Sequence, residues 1–251
     1  MPVHEQLLGS TQPVLSISLE PGESVVAETG EFAWMTDSIQ MTAGLAGLSD
    51  YMATDRAGTV AFASRLPGSI LQIEVTPERE YLVHRNGFLA GTPGIEVTNG
   101  FQQTLAATGV PAEEFILRRV GGRGRAWVEL SGDVVRRELA AGASLRTHPW
   151  HVGMSDASVA VQMAELAAPF SSGEGTAAQH FAVLSGPGVV WLQSMPLLAA
   201  PCRRLTTGPM PAHSVPAAEG AAGADAPSRS AAHSFRRSKG RGRRLTYPNA
   251  C

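Results

Sequence analysis

Residues 19–41 read LEPGESVVAETGEFAWMTDSIQM. Apolar and polar residues alternate, the chain turns at Pro21-Gly22 and at Gly30, and the alternation resumes. A period of two is the mark of a β-strand, whose successive side chains point to opposite faces. No catalytic signature lies in the stretch, yet its pattern returns twice. LSISLEPGESVVAETGEFAWMTDSIQM from Leu15, LQIEVTPEREYLVHRNGFLAGTPGIEV from Leu71 and VRRELAAGASLRTHPWHVGMSDASVAV from Val135 align without gaps over 27 residues. Seven of these 27 columns are apolar in every copy, where about two are expected from independent columns, so a repeat is the better account. They are Leu15/Leu71/Val135, Leu19/Val75/Leu139, Val25/Tyr81/Leu145, Phe32/Phe88/Val152, Trp34/Ala90/Met154, Ile39/Ile95/Val159 and Met41/Val97/Val161.

A second recurring element is read in LPGSILQI (66–73), GRGRAWVE (122–129) and GPGVVWLQ (186–193), each a glycine-containing turn before an apolar strand. The intervening GLAGLSDYMA, FQQTLAATG and MAELAAPFSSG are expected to hold a short helix or an ordered loop. The expected fold is therefore all-β: a barrel-like body of three related β modules, about 13–65, 66–121 and 122–200, with pseudo-threefold symmetry around a shared interior. Residues 1–202 form this one domain. Residues 203–251, rich in Ala, Pro, Ser, Gly and Arg, are expected to be a disordered basic tail, because so few large apolar residues cannot offset the entropy of ordering.

Charge divides the chain in the same place. The tail holds nine Lys/Arg and two Asp/Glu, +7, which leaves −9 for residues 1–202 out of the total of −2. An acidic body is a poor docking surface for nucleic acid, so no specific nucleic-acid partner is expected. The tail's FRRSKGRGRR is suited to weak contact with nucleic acid or an anionic membrane through charge alone. The single lysine, Lys239, lies in the tail, so the body lacks the lysine that a Walker phosphate loop or Schiff-base chemistry requires. Cys202 and Cys251 suggest neither a disulfide framework nor a zinc site. With no secretory signal and no long apolar run, the expected setting is the cytoplasm.

LEPGESVVAETGEFAWM, REYLVHRNGFLAGTPGIEV, SSGEG and LSGPGVVWLQS together resemble the bacterial branch of the mitochondrial-biogenesis family named for altered inheritance of mitochondria, over about residues 13–195. The resemblance implies a shortened double-stranded β-helix of the tryptophan-attenuator-like kind, and self-association. It supplies no catalytic motif and no cofactor. Its mitochondrial members, linked to inner-membrane organisation, point to a scaffold. Two departures stand out: the glycine-rich linker after the first module is reduced to TAGLAGLSDYMATDRAG, and the basic tail has no counterpart in the family.

Two constellations bear on metal chemistry. In GASLRTHPWH, His148 and His151 approach the cupin metal motif. Their spacing is H-x-x-H rather than H-x-H, however, and puts them on opposite faces of a strand. Glu28, His84 and His148 share one column of the repeat. Two imidazoles and a carboxylate can hold Zn²⁺ or Fe²⁺ if the column faces a common axis, but a column next to a turn is expected to face outward. Ser171, Ser172 and His180 flank GEG without a nucleophile elbow, and GGRGR (121–125) reads as a tight hairpin rather than a nucleotide loop. Trp127 and Trp191 occupy equivalent places, as matching core or inter-module positions would.

The function expected from these readings is that of a non-enzymatic, homo-oligomeric scaffold or binding protein that uses no cofactor and works through its surfaces and strand edges. The alternatives are a metal-dependent, cupin-like enzyme using His84 with His148 or His148 with His151, and a small-ligand binder using a barrel interior.

Overall fold

The computed structural model describes residues 4–44, 47–107, 110–166 and 179–196. The chain divides into two units, Met1–Ala199 and Ala200–Cys251. The second unit, with the basic tail and both cysteines, lies outside the described residues. So do Ser171 and Ser172.

Nineteen strands run through the described part of the first unit. After β1 (His4–Leu8), the first third contains β2 (Val14–Leu19), β3 (Ser24–Glu28), β4 (Phe32–Met35), β5 (Ile39–Ala43), β6 (Leu48–Ala53) and β7 (Gly58–Ala63). The second contains β8 (Gly68–Val75), β9 (Tyr81–His84), β10 (Phe88–Gly91), β11 (Ile95–Ala107), β12 (Val110–Gly122) and β13 (Gly124–Ser131). The last contains β14 (Val134–Leu139), β15 (Ser144–Thr147), β16 (Val152–Asp156), β17 (Ala160–Leu166), β18 (Gln179–Ser185) and β19 (Gly188–Gln193). The described helical residues are two single 3₁₀ turns, Thr29–Glu31 and Pro149–His151, which lead into β4 and β16.

The antiparallel pairing follows one scheme in each third. The first strand pairs the sixth (β2–β7, β8–β13, β14–β19), and the sixth also pairs the third (β7–β4, β13–β10, β19–β16). The fifth strand pairs the second and the fourth (β6 with β3 and β5, β12 with β9 and β11, β18 with β15 and β17). A register shift interrupts the third strand at the same column each time, between Phe32 and Trp34, Phe88 and Ala90, and Val152 and Met154. The turn between first and second strands is built on Gly22 and Gly142, both at φ +83°, a left-handed conformation that side chains with a Cβ resist. In the second third, Pro77-Glu78 turns there instead, closed by a bridge between Thr76 and Arg79.

The thirds join edge to edge. The second strand of one third pairs the third strand of the next, β3 with β10 and β9 with β16, giving two six-stranded sheets, β5-β6-β3-β10-β13-β8 and β11-β12-β9-β16-β19-β14. The remaining strands form a four-stranded sheet, β1-β2-β7-β4, and a three-stranded one, β15-β18-β17. No sheet among the described strands closes into a barrel.

Several expectations change. The described parts of the segments read as helix or loop are strands: LSDYMA is β6, FQQTLAA ends β11 and MAEL ends β17, while Thr108, Gly109 and residues 167–173 lie outside the described residues. Neither LSDYMA nor FQQTLAA alternates cleanly between apolar and polar residues, and cross-strand pairing overrides their weak local preference. LPGSILQI holds the opening strand of the second third, β8, while the closing strand of the first is GTVAFA, β7. The second third thus runs to Ser131 and the last begins at Val134. GGRGR does not form a hairpin, because β12 and β13 belong to different sheets and Arg123 carries the chain between them.

The shared interior is also replaced. Burial separates into three clusters, each mainly within one third. Each third places its two three-stranded sheets face to face and buries the alternating residues between them. In the first, Tyr51 on β6 meets Phe62 on β7 edge-on at 5.1 Å and stacks on Phe32 of β4 at 5.8 Å. The clusters interlock at the joints: Ala90 and Trp127 belong to the first, Met154 to the second, and Leu82 and Leu117 to the third.

Phe32 and Phe88 share a column but not a setting, being 37% and 0% exposed. Phe88→Ala is expected to cost about 3–5 kcal/mol, and Phe32→Ala less than half of that, measured by urea unfolding in dilute protein. Equal costs would show that β4 is as enclosed as β10.

Candidate functional site

The column Glu28, His84 and His148 lies at the end of the second strand in the first two thirds and just past it in the last, and its surroundings differ from copy to copy. Glu28, on β3, reaches across the first joint to an ion pair with Arg118 on β12 and also accepts from Arg65 Nη2 at 2.9 Å. His84, on β9, is 2% exposed and lies against Phe115 and, across the second joint, edge-on to Trp150 at 6.1 Å between ring centres. Burial first, and then the charge of Arg85, push its pKa down to about 4. The Asn86 N–H points at its Nδ1 at 3.5 Å, which leaves the ring proton on Nε2, where no partner is found among the described residues. His148 follows β15 and is exposed. The column thus points into the joints in the first two copies and to the surface in the third, rather than outward throughout.

His148 and His151 stand 6.0 Å apart between ring centres, and His151 Nδ1 lies 2.7 Å from the carbonyl of Gln193. Among the described residues, no three His, Cys, Asp or Glu side chains gather closely enough to hold a metal ion.

Around Glu28 lies a cluster with no motif in the sequence. Arg65, in the link between the first two thirds, pairs with Glu31 as well as Glu28, and its backbone N–H donates to Glu129 Oε2 at 2.9 Å. Glu31 is 3% exposed, and burial raises its pKa despite Arg65 beside it. Burial pushes the Glu129 carboxyl up to about 7, against the Arg65 N–H that favours its charged form, with Glu31 and Glu28 adding like charge. Two carboxylates on two guanidiniums, with the Glu129 carboxyl held by the Arg65 backbone N–H, therefore fasten the first joint. Sequence reasoning reached only Glu28. Arg65 lies outside the aligned copies, and Glu31 aligns with Gly87 and His151, so no column announces the cluster.

The other candidate is the pair of edges that the joints leave over. β4 and β15 are the counterparts of strands paired at both joints, yet each ends a sheet. Phe32, Trp34 and Met35 on β4 are 37%, 47% and 37% exposed, while Phe88, Ala90, Val152 and Met154 in the equivalent strands are at 0%. Trp34 also inverts a size pattern. It pairs with Ala61 on β7, whereas Ala90 pairs with Trp127 and Met154 with Trp191.

Residues 6–195 match the family described as Mitochondrial biogenesis AIM24. The chain belongs to the AIM24 family. Among solved structures, it is similar to the crystal structure of protein SPYM3_0169 from Streptococcus pyogenes, with a TM-score of 0.60 and 18% identity over 78% of this chain and 95% of that one. At that identity the likeness concerns the fold. No curated protein matches. The AIM24 assignment agrees with the resemblance read from the turn and strand motifs. No helix among the described residues is long and apolar enough to cross a membrane.

The ionic cluster makes a pH test. Glu129 ionises near 4.5 when unfolded and near 7 when folded, so its contribution to stability is complete below the first value and is lost as pH rises through the second. Glu129→Gln is expected to keep melting temperature flatter than the parent between about pH 5 and 8. A parent–variant difference that does not change with pH would overturn this assignment.

Proposed function

We propose that this AIM24-family chain is a non-enzymatic, self-associating scaffold of the cytoplasm, working through its sheet edges. The observation that carries the reading is the exposed β4 edge, with Phe32, Trp34 and Met35 in a row that has neither a charge nor a proline. Proteins ordinarily blunt such an edge with charge, proline or a covering element, because unpaired N–H and C=O groups template pairing with another chain. A large apolar edge left bare is an edge meant to be covered. A scaffold also suits side chains whose best-defined polar cluster fastens one part of the body to the next.

The metal-enzyme alternative draws less support from the surroundings of its candidates. The Glu28 carboxylate is engaged by Arg65 and Arg118, and His84 is walled by Phe115 and Trp150. The small-ligand alternative required a barrel interior, and the thirds are filled with packed side chains instead. A surface groove of about 460 Å³ borders Gly22, Thr92, Pro93, Gly124 and Arg125, but it is open to solvent.

Light scattering on the 251-residue chain tests the scaffold. The expected mass exceeds that of one 26.3 kDa chain, and a Trp34→Asp, Met35→Asp double variant is expected to lower it while leaving the far-ultraviolet circular dichroism unchanged. A parent that stays monomeric at high concentration rules the reading out.

A further inference from the structure

The two joints between thirds share one register. At the first, Ala90 lies opposite Ala27 and Gly91 opposite Val26. At the second, Met154 lies opposite Val83, Ser155 opposite Leu82 and Asp156 opposite Tyr81. In the gapless alignment of the three copies, Ala90 and Met154 share a column with Trp34, and Ala27 and Val83 share one with Thr147. Gly91 and Ser155 align with Met35, and Val26 and Leu82 with Arg146. The same arithmetic that links two observed joints therefore specifies a third.

We propose that β4 of one copy pairs antiparallel with β15 of a second copy of this chain, Trp34 opposite Thr147 and Met35 opposite Arg146. This deepens the scaffold reading and rests on it. The pairing joins β17-β18-β15 to β4-β7-β2-β1 and completes a sheet whose six strands from β17 to β2 have the order of the two already formed, with β1 added at the end.

Three observations favour this occupant. Within one chain, β4 and β15 are not hydrogen-bonded to each other, although every strand of both half-sheets is in place. Both halves of the missing joint are present on every copy: β4 carries the bulge of β10 and β16, and β15 follows the same glycine turn as β3. The residues left most exposed on β4 are those whose counterparts the joints bury completely. Because each copy carries one edge of each kind, the contact is head-to-tail, and it ends in a closed assembly or an open chain according to the rotation between copies.

Register distinguishes this pairing from any other contact. Residues directly opposite in an antiparallel pair have Cα atoms about 4.5–5.5 Å apart, within the 4.4–6.8 Å range that a disulfide spans. In a chain carrying Cys202→Ser and Cys251→Ser, Met35→Cys is made in one preparation and Arg146→Cys in another. The two are mixed under mild oxidation, and the joined peptides are identified by mass spectrometry. Met35 and Arg146 are exposed, so both variants are expected to fold, which circular dichroism checks. The Met35→Cys and Arg146→Cys preparations are expected to cross-link roughly tenfold more than a control pair of Phe32→Cys with Arg146→Cys, which is out of register. Cross-linking no greater than the control overturns the proposal. If the parent is nevertheless oligomeric by light scattering, the scaffold reading survives and only this joint fails; if the parent is monomeric, both fail. With Met35→Cys and Arg146→Cys in the same chain, a bond that forms only within monomers at every concentration places β15 of the same chain on β4 and also overturns the proposal.

Discussion

A β-strand has two sides, and the backbone N–H and C=O groups along each need a partner or water. The first unit of this protein is organised by how it meets that need. Each third satisfies its inner strands with its own fifth and sixth strands, then offers its second strand to the neighbouring third. Side-chain burial follows the pairing. Because β3 and β9 continue into the next third's sheet, residues such as Ala90, Met154 and Leu82 enter a neighbouring third's core and tie successive clusters together.

Much of this was legible in the residues and some of it was not. Alternation and turn residues locate strands because both are properties of short stretches. The gapless columns carried the register as well: the bulge between Phe32 and Trp34 recurs at Phe88/Ala90 and Val152/Met154. LSDYMA and FQQTLAA escaped because neither alternates cleanly between apolar and polar residues, and only their pairing with neighbouring strands marks them as strands. The shared centre was a misreading of the same columns. An apolar column says that a side chain is covered, but not whether its own third or a common axis covers it.

The candidate site was less legible, for a related reason. Glu28, His84 and His148 form a real column, but what the first two touch is determined by the next third, which contributes Arg118 to one and Trp150 to the other. Arg65 and Glu129 have no motif to betray them, since they come together only when β3, β13 and the link before β8 are folded against each other. The exposed edge was likewise invisible. FAWM reads as core, and its companions Phe88 and Met154 are core.

The two seams inside the body are built from different chemistry. One is clamped by Glu28, Glu31 and Glu129 with Arg65 and Arg118, the other by the rings of His84, Phe115 and Trp150. Glu28, Glu31 and Arg118 are largely buried, so dissolved ions reach the first seam chiefly through the half-exposed Arg65, while cooling weakens the apolar contact on which the edge-on rings of the second depend. Cold therefore bears harder on one seam than on the other, and the order in which the parts loosen is set by the solvent as well as by the chain.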